Sequence, residues 1–387
     1  MAILPFNIAK QKELNVVIVG GGYAGLTDLT NLLQFAPETH VTLIDPREQH
    51  LKITHLHETF RYPLTDLLIP FTDICKRFAC RFIQANVNLA PDALADYQNK
   101  KQLTVNEEAL DFDYLVIATG CNAIKSENTN PEELISLSDF SLKNGSDLLT
   151  QRLNLNESSE SVISIVGGGA TGIQFLFEIQ KFLYRINHKA KLQLIHSSPH
   201  VLNQFPDGFG TYAEYRMQEM GIDFHPNIYY HHQKSGRILL SDKETRNQFE
   251  LPSSLTLLFT GKNQENTFIT NAFGQLIANR LPLPNIFSAG DCAHYQSLGS
   301  NALSAQSAVR KGKLVARNIL RHSGFPGLME PYLHQNLGYV VNLGPSDAIG
   351  WLVAEGNLIT GISALTIKEI VEAQYDLLLS GIDTYLV

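Results

Sequence analysis

Between Asn15 and Asp45 the chain carries a pattern that few folds accommodate: strand, glycine turn, helix, strand, acid. Asn15-Val16-Val17-Ile18-Val19 is a β-branched run with the length of a buried parallel strand. It enters Gly20-Gly21-Gly22-Tyr23-Ala24-Gly25, which fits G-x-G-x-x-G, and a helical stretch with Leu26, Leu29, Leu32 and Leu33 follows. Val41-Thr42-Leu43-Ile44 reads as the next strand. Asp45 closes it about twenty residues past the last glycine, where a dinucleotide fold places the acid that holds a ribose. In such a turn Gly20 permits the tight bend, Gly22 lets backbone approach a pyrophosphate, and Gly25 lets helix and strand pack closely. The diphosphate then rests on the helix N-terminus.

The same unit returns roughly 150 residues later. Ser161 to Val166 feeds Gly167-Gly168-Gly169-Ala170-Thr171-Gly172, a helix from Ile173 to Leu183 follows, and Lys191 to Ile195 is the next strand, ending at His196. Two dinucleotide sites are therefore expected. Phe112 to Gly120 is a strand ending in the small-residue turn Ala118-Thr119-Gly120, and Leu255 to Gly261 echoes it. Asn285 to Asp291 is one more strand with an acid just past its end, and Asn301 to Leu320 reads as a helix. Phe71 to Phe78 is an amphipathic run. Gln98 to Lys101 suggests an exposed hairpin turn, and Asn144 to Glu160, rich in Ser, Asn and Gly at its ends, looks like a boundary.

With 387 residues the chain can bury two or three cores, and 44% hydrophobic with 18% charged residues is a globular balance. A net charge of −8 argues against a nucleic-acid surface. No apolar run reaches the length of a membrane span, and Met1 to Glu13 lacks the core of a signal peptide, so a cytoplasmic location is expected. Cys75, Cys80, Cys121 and Cys292 are too few and scattered for a disulfide framework, and no metal site is expected.

Taken together, these motifs resemble the flavin-dependent pyridine nucleotide oxidoreductases, with four matches in that family's order: Gly20 to Asp45, Tyr114 to Gly120, Gly167 to Gly172, and Ala289-Gly290-Asp291. The resemblance implies an α/β fold of two Rossmann-like domains plus a short C-terminal segment. It places a discontinuous FAD domain at 1–120 and 262–325, an inserted NAD(P) domain at 121–261, and an interface segment at 326–387. It implies that Gly20, Gly22, Tyr23, Ala24, Gly25, Asp45, Pro46, Arg47, Thr119, Gly120, Gly290 and Ala305 surround FAD, with Val87 meeting the adenine and Asp291 the ribityl hydroxyls. Gly167, Gly169, Ala170, Thr171, Gly172, His196 and Gly261 would hold NAD(P)H.

Within that family the chain is most similar to type II NADH dehydrogenases, the single-chain NADH:quinone oxidoreductases, through His50 to Glu58 and Ala305-Gln306-Ser307-Ala308. The resemblance implies two-electron transfer from NAD(P)H through FAD to a quinone-like acceptor, by ping-pong kinetics, with Gln306 and Arg310 on the acceptor side. Three positions depart from the pattern: Gln174 replaces a Glu, Arg310 a second Gln, and His196 an acid. Gln174 cannot carry a proton. His196, beside Ser197, Ser198 and His200, leaves NADPH as open as NADH, or is a solvated histidine without a selective role. Arg310 either orients a polar or anionic acceptor or, the favoured reading, lies on a solvated basic face with Lys311 and Lys313. Lys52 is expected at the surface, with a flavin-side cation as the alternative.

Cys75 and Cys80 have the spacing of a redox disulfide, but on a helix without glycine they should face different ways. Cys121 and Cys292 read as small buried thiols. In the tail Lys368 is the only Lys or Arg after Glu330, against several acids. Its apolar residues, Leu365, Ile367, Ile370, Val371 and Leu377 to Leu379, either lie on a membrane surface or, the favoured reading, pack on the FAD domain or a second subunit of a homodimer. A protein acceptor docking on the acidic tail, and a flavin-binding sensor with little turnover, stand as rival functions.

Overall fold

A computed structural model describes residues 13–121, 131–155, 161–261, 267–336 and 338–385. The expectation for the first twelve residues lies outside them. Asn15–Val19 is the pivot of an eight-stranded sheet, pairing in parallel with His40–Asp45 on one side and Tyr114–Ile117 on the other. Arg81–Gln84 extends the first side and Leu281–Ser288 the second, also in parallel. Val16 to Val19 are all buried, as a strand covered on both faces requires.

The second glycine unit builds a separate five-stranded parallel sheet, with Ser161–Val166 between Ala190–Ile195 and Leu255–Leu258, and with Asp223–His225 and Leu134–Ser136 at its edges. This is the expected α/β architecture of two Rossmann-like sheets. The glycine helices run over Tyr23–Phe35 and Ala170–Arg185. A third helix, Ala305–His322, packs along the first. It begins four residues later than its sequence pattern suggests, because Ser304 caps it by accepting the Ser307 amide at 3.2 Å.

Two local expectations are corrected. Gln98 to Lys101 is no hairpin turn: Pro91–Lys100 is a helix, opened by proline at its first position and closed by Lys101 at φ 54°. The tight turn falls at Asn106 and Glu107, both with positive φ, between paired strands Gln102–Val105 and Glu108–Asp111. Within the supposed boundary segment Gly145–Leu155 is helical, and residues 156–160 lie outside the described residues.

The tail is a three-stranded antiparallel sheet, Gly338–Asn342, Ala348–Leu352 and Ala354–Thr360, followed by the helix Gly361–Leu379. Leu378 and Leu379 are buried with Val16, Ile18, Leu26 and Leu29 in the core of the Asn15–Val19 sheet, as favoured. Ile362, Ile370, Val371 and Leu377 stay exposed on another side of the helix. Two buried histidines lock the tail down. His50 Nδ1 donates to the Gly21 carbonyl at 3.0 Å, so its Nε2 accepts from the Tyr375 hydroxyl at 3.2 Å. His57 Nε2 accepts from Asn342 at 3.3 Å.

Burial lowers His50 to about 4 and His57 to about 3. The unfolded chain takes up these protons near 6.5 while the folded chain does not, so stability present above pH 6.5 is lost as pH falls toward 4. The shift at His50 alone corresponds to about 3 kcal/mol. The urea midpoint is therefore expected to drop between pH 7 and pH 5; an unchanged midpoint would contradict the buried, neutral state of both rings.

Candidate dinucleotide sites

The two glycine turns are built alike, atom by atom. Gly20 and Gly167 have φ of +109° and +113°, and a Cβ on either would lie 2.4 Å from the Ala118 carbonyl oxygen or 2.3 Å from that of Phe259. A Cβ on Gly25 or Gly172 would lie 1.9 Å from the carbonyl oxygen of Gly20 or Gly167. The amides of Gly20 and Gly167 donate to Ile44 and Ile195 at 2.8 and 2.9 Å. Only glycine meets these constraints. Gly22, by contrast, has nothing within 4 Å of where its Cβ would be, and Gly169 only Gln204 at 3.7 Å. The outer backbone of each turn is thus open, ahead of helix N-termini at Tyr23 and Ala170, and fits a diphosphate. Gly120 and Gly261, both at positive φ and clear of neighbours, end the two flanking turns; Thr119 is exposed.

Asp45 and His196 hold equivalent posts. Asp45 Oδ2 accepts the Gly21 amide at 2.7 Å, and His196 Nδ1 accepts the Gly168 amide at 3.1 Å. Arg47 supplies Asp45 with three further donors, its amide, Nε and a terminal nitrogen, at 2.9 to 3.0 Å. Those hydrogen bonds, outweighing burial, hold the carboxyl below its usual range. Four donors fill a carboxylate's acceptor positions, so a further donor can reach Asp45 only by displacing the Arg47 side chain, which is 54% exposed.

His196 is not the solvated histidine of the alternative reading. Burial lowers its pKa, so the ring is neutral at pH 7, with Nδ1 already committed and the proton on Nε2. It therefore offers a donor where Asp45 offers acceptors. Lys243, which the sequence reading missed, brings a cation to the same strand end by donating to the Ser197 carbonyl at 3.1 Å.

Around the first turn, Gly290 at φ +83° lies where a Cβ would meet Ala24 at 2.9 Å, bringing Asp291 to the junction of the Tyr23 and Ala305 helices. Cys121 donates to Asp291 at 3.7 Å, and Cys292 is buried under the Ala289 carbonyl at 3.3 Å. Val87 and Ala305 are half-buried, and Gln84 donates to the Pro46 carbonyl at 3.1 Å. The Tyr23 hydroxyl bonds Thr54 at 2.9 Å, and its ring packs 4.4 Å from that of Tyr375.

The remaining charged candidates are rearranged. Lys52 is no surface lysine: it is 17% exposed and ion-paired with Asp376 of the tail helix. Lys311 and Lys313 do not form a solvated face with Arg310. Lys311 is 1% exposed and donates to the Ala293 carbonyl at 2.7 Å, and burial lowers it to about 8; Lys313 pairs with Asp383 at 2.7 Å. Gln174 is half-buried, and one turn along its helix lies buried Glu178, paired with Arg61 at 2.9 Å. Next to it Lys368 bridges Glu58 at 3.1 Å and Glu372 at 2.7 Å, and His55 meets Glu58 at 3.2 Å. His55, Glu58 and Glu372 have metal-like donor spacing, and the Lys368 ammonium already bridges the two carboxylates.

Cys75 and Cys80 also differ from expectation. Ala79 at φ 52° ends their helix and folds the chain back, with the Cys80 amide donating to the Cys75 carbonyl at 3.0 Å, so the two thiols interact rather than facing apart. That interaction and burial push Cys80 up, so it is a thiol at neutral pH, and both cysteines are free.

The family model described as pyridine nucleotide-disulphide oxidoreductase matches residues 14–312. The type II NADH:quinone oxidoreductase of Staphylococcus aureus is 26% identical, across 96% of this chain and 97% of that one. The structure of NDH2 from Plasmodium falciparum in complex with NADH superposes with a TM-score of 0.78 at 15% identity, over 94% of each chain. Sulfide:quinone oxidoreductase from Aquifex aeolicus gives 0.76 at 18% identity, over 95% of this chain and 92% of that one.

If His196 and Lys243 set the response to the second ribose, His196→Asp is expected to raise the NADH-to-NADPH ratio of kcat/KM by about tenfold. Lys243→Ala should move it the same way. An unchanged ratio in both variants would remove this strand end from nucleotide selection.

Proposed function

The chain belongs to the pyridine nucleotide-disulphide oxidoreductase family, and we propose that it passes two electrons from NAD(P)H through FAD to a quinone or similar small acceptor. The observation that carries this reading is the duplicated turn, with the same backbone contacts at Gly20 and Gly167 but an acid at the end of one unit and a histidine at the end of the other. We assign FAD to the first turn and NAD(P)H to the second, with 1–120 and 262–325 as the FAD domain and 121–261 as the NAD(P) domain. The net reaction is NAD(P)H plus H⁺ plus quinone giving NAD(P)⁺ plus quinol.

Bound FAD would supply a ring that accepts a hydride and passes on two electrons. The protein's own contribution is positional and electrostatic. Asp45 would hold the adenosine ribose and Asp291 the ribityl hydroxyls, and the N-terminus of the Ala305 helix directs its positive end toward the Gly290 turn. Hydride transfer needs no side-chain acid or base, so Gln174 is compatible with turnover. Gln306 and Arg310 then stand on the acceptor side.

The rival reading with a docked protein acceptor has less acidic surface to use than the sequence suggests. Asp347, Glu372, Asp376 and Asp383 of the tail are paired within the chain, with Arg216, Lys368, Lys52 and Lys313, while Glu369 stays exposed. The exposed Ile362, Ile370, Val371 and Leu377 instead suit a peripheral membrane contact, where a lipid-soluble quinone would be met, or a homodimer. Among the described residues no helix is long and apolar enough to cross a membrane.

The test is steady-state oxidation of NAD(P)H with menadione as acceptor. Parallel lines in double-reciprocal plots, with kcat of about 1 s⁻¹ or more, are expected. Flavin that is bound but never reoxidised by any quinone would overturn the reading in favour of a sensor.

A further inference from the structure

The helix Phe71–Phe78 joins the first glycine turn to the end of the tail. Its Phe71 ring packs on the turn so closely that a Cβ on Gly21 would meet Phe71 Cε1 at 2.2 Å. At the other end Arg77 donates at 2.6 Å to the carbonyl of Leu379, the last residue of the tail helix. The way this helix ends therefore bears on both neighbours, and a pair of cysteines closes it.

The closure is a matter of backbone geometry. Ala79 is left-handed, φ 52° and ψ 39°, and the Cys80 amide reaches back to the Cys75 carbonyl at 3.0 Å. In a helix ending of this type the side chains of the two bonded residues come to lie side by side. Here Cys75 belongs to the core of the Asn15–Val19 sheet and Cys80 packs against that same core. A disulfide needs such an approach of two Cβ atoms without backbone movement. The neighbouring Cys80 thiol also holds Cys75 below the ordinary thiol range, against the effect of burial, so the first proton leaves this pair more readily than it leaves a lone buried thiol. Cys75 is buried, whereas Cys80 keeps part of its surface exposed, and both are free thiols.

We propose that Cys75 and Cys80 form a reversible disulfide that clips the end of this helix, with a small disulfide such as oxidised glutathione as the oxidant. A thiolate of the pair attacks one glutathione sulfur, the glutathione S–S bond breaks, and one glutathione leaves as its thiolate. The second cysteine gives its proton to solvent and attacks the mixed disulfide, forming the Cys75–Cys80 bond and releasing the second glutathione. Two electrons pass from the protein thiols to glutathione, and the two protons they lose go through solvent to the leaving thiolates. The bridge spans residues 75–80, whose backbone is already folded for it, so oxidation locks a conformation rather than creating one. This modification goes beyond the electron-transfer reading and does not depend on it.

The test equilibrates the full chain with mixtures of reduced and oxidised glutathione, once folded and once unfolded in urea, then blocks the remaining thiols with iodoacetamide and digests with trypsin. The bridge links peptides 62–76 and 78–81, which trypsin otherwise separates at Lys76 and Arg77. A bridge that stabilises the folded chain is favoured by folding in the same proportion. Its equilibrium constant is therefore expected to be at least about tenfold higher in the folded chain than in urea, and the thermal midpoint of the bridged chain to lie above that of the reduced chain. Dithiothreitol should reverse both changes, and Cys80→Ser should abolish the linked peptides. A folded chain that yields only glutathione adducts, or an equilibrium constant no higher than in urea, would overturn the proposal.

Discussion

Four backbone contacts, made possible by missing side chains, set the geometry on which everything else rests. At Gly20, Gly25, Gly167 and Gly172 a Cβ would fall within 2.4 Å of a carbonyl oxygen. With hydrogen there instead, each glycine helix sits tightly on its strand and the second amide of the turn reaches the end of the neighbouring strand. Asp45 and His196 are where they are because of that approach, and so are the open outer edges at Gly22 and Gly169. A methyl group at any of the four positions would push helix and strand apart and lose both the turn and the ligand surface it presents.

The tail is held by polar contacts over long sequence separations. Lys368 reaches Glu58 across 310 residues, and Tyr375 reaches His50 across 325. Buried ion pairs of this kind contribute little net stability, since desolvation offsets most of the attraction, but breaking one side leaves a costly unpaired charge. Their effect is to fix where the tail helix lies. It is thereby bound to the Gly21 turn through His50 and to residues after Asp45 through Lys52, and the residues after it are bound to the Ala305 helix through Asp383.

Both glycine turns, their parallel strands and the helices after them were legible in the sequence, because they depend on contacts within about thirty residues and on a residue type that nothing replaces. What escaped was set by tertiary surroundings. Lys311 and Lys313 look like a solvated basic face on helical spacing, and only the Ala293 carbonyl and Asp383, brought in from elsewhere, show them as buried. The Cys75–Cys80 contact depends on the left-handed Ala79, which side-chain identity did not announce. Gln98 to Lys101 has turn composition, yet Pro91 starts a helix that carries through it. The sequence already put His196 at the position of the acid, but that its ring accepts the second glycine amide, as Asp45 does, needed the structure.

The central claim is that the two turns form two working dinucleotide sites that communicate through a flavin. An anaerobic stopped-flow titration of the FAD-loaded protein with NADH, and then with NADPH, tests it most directly. Rapid bleaching of the flavin absorbance by at least one nucleotide, saturating with its concentration, is the result this account predicts. A flavin that dithionite reduces but that neither nucleotide bleaches would contradict it.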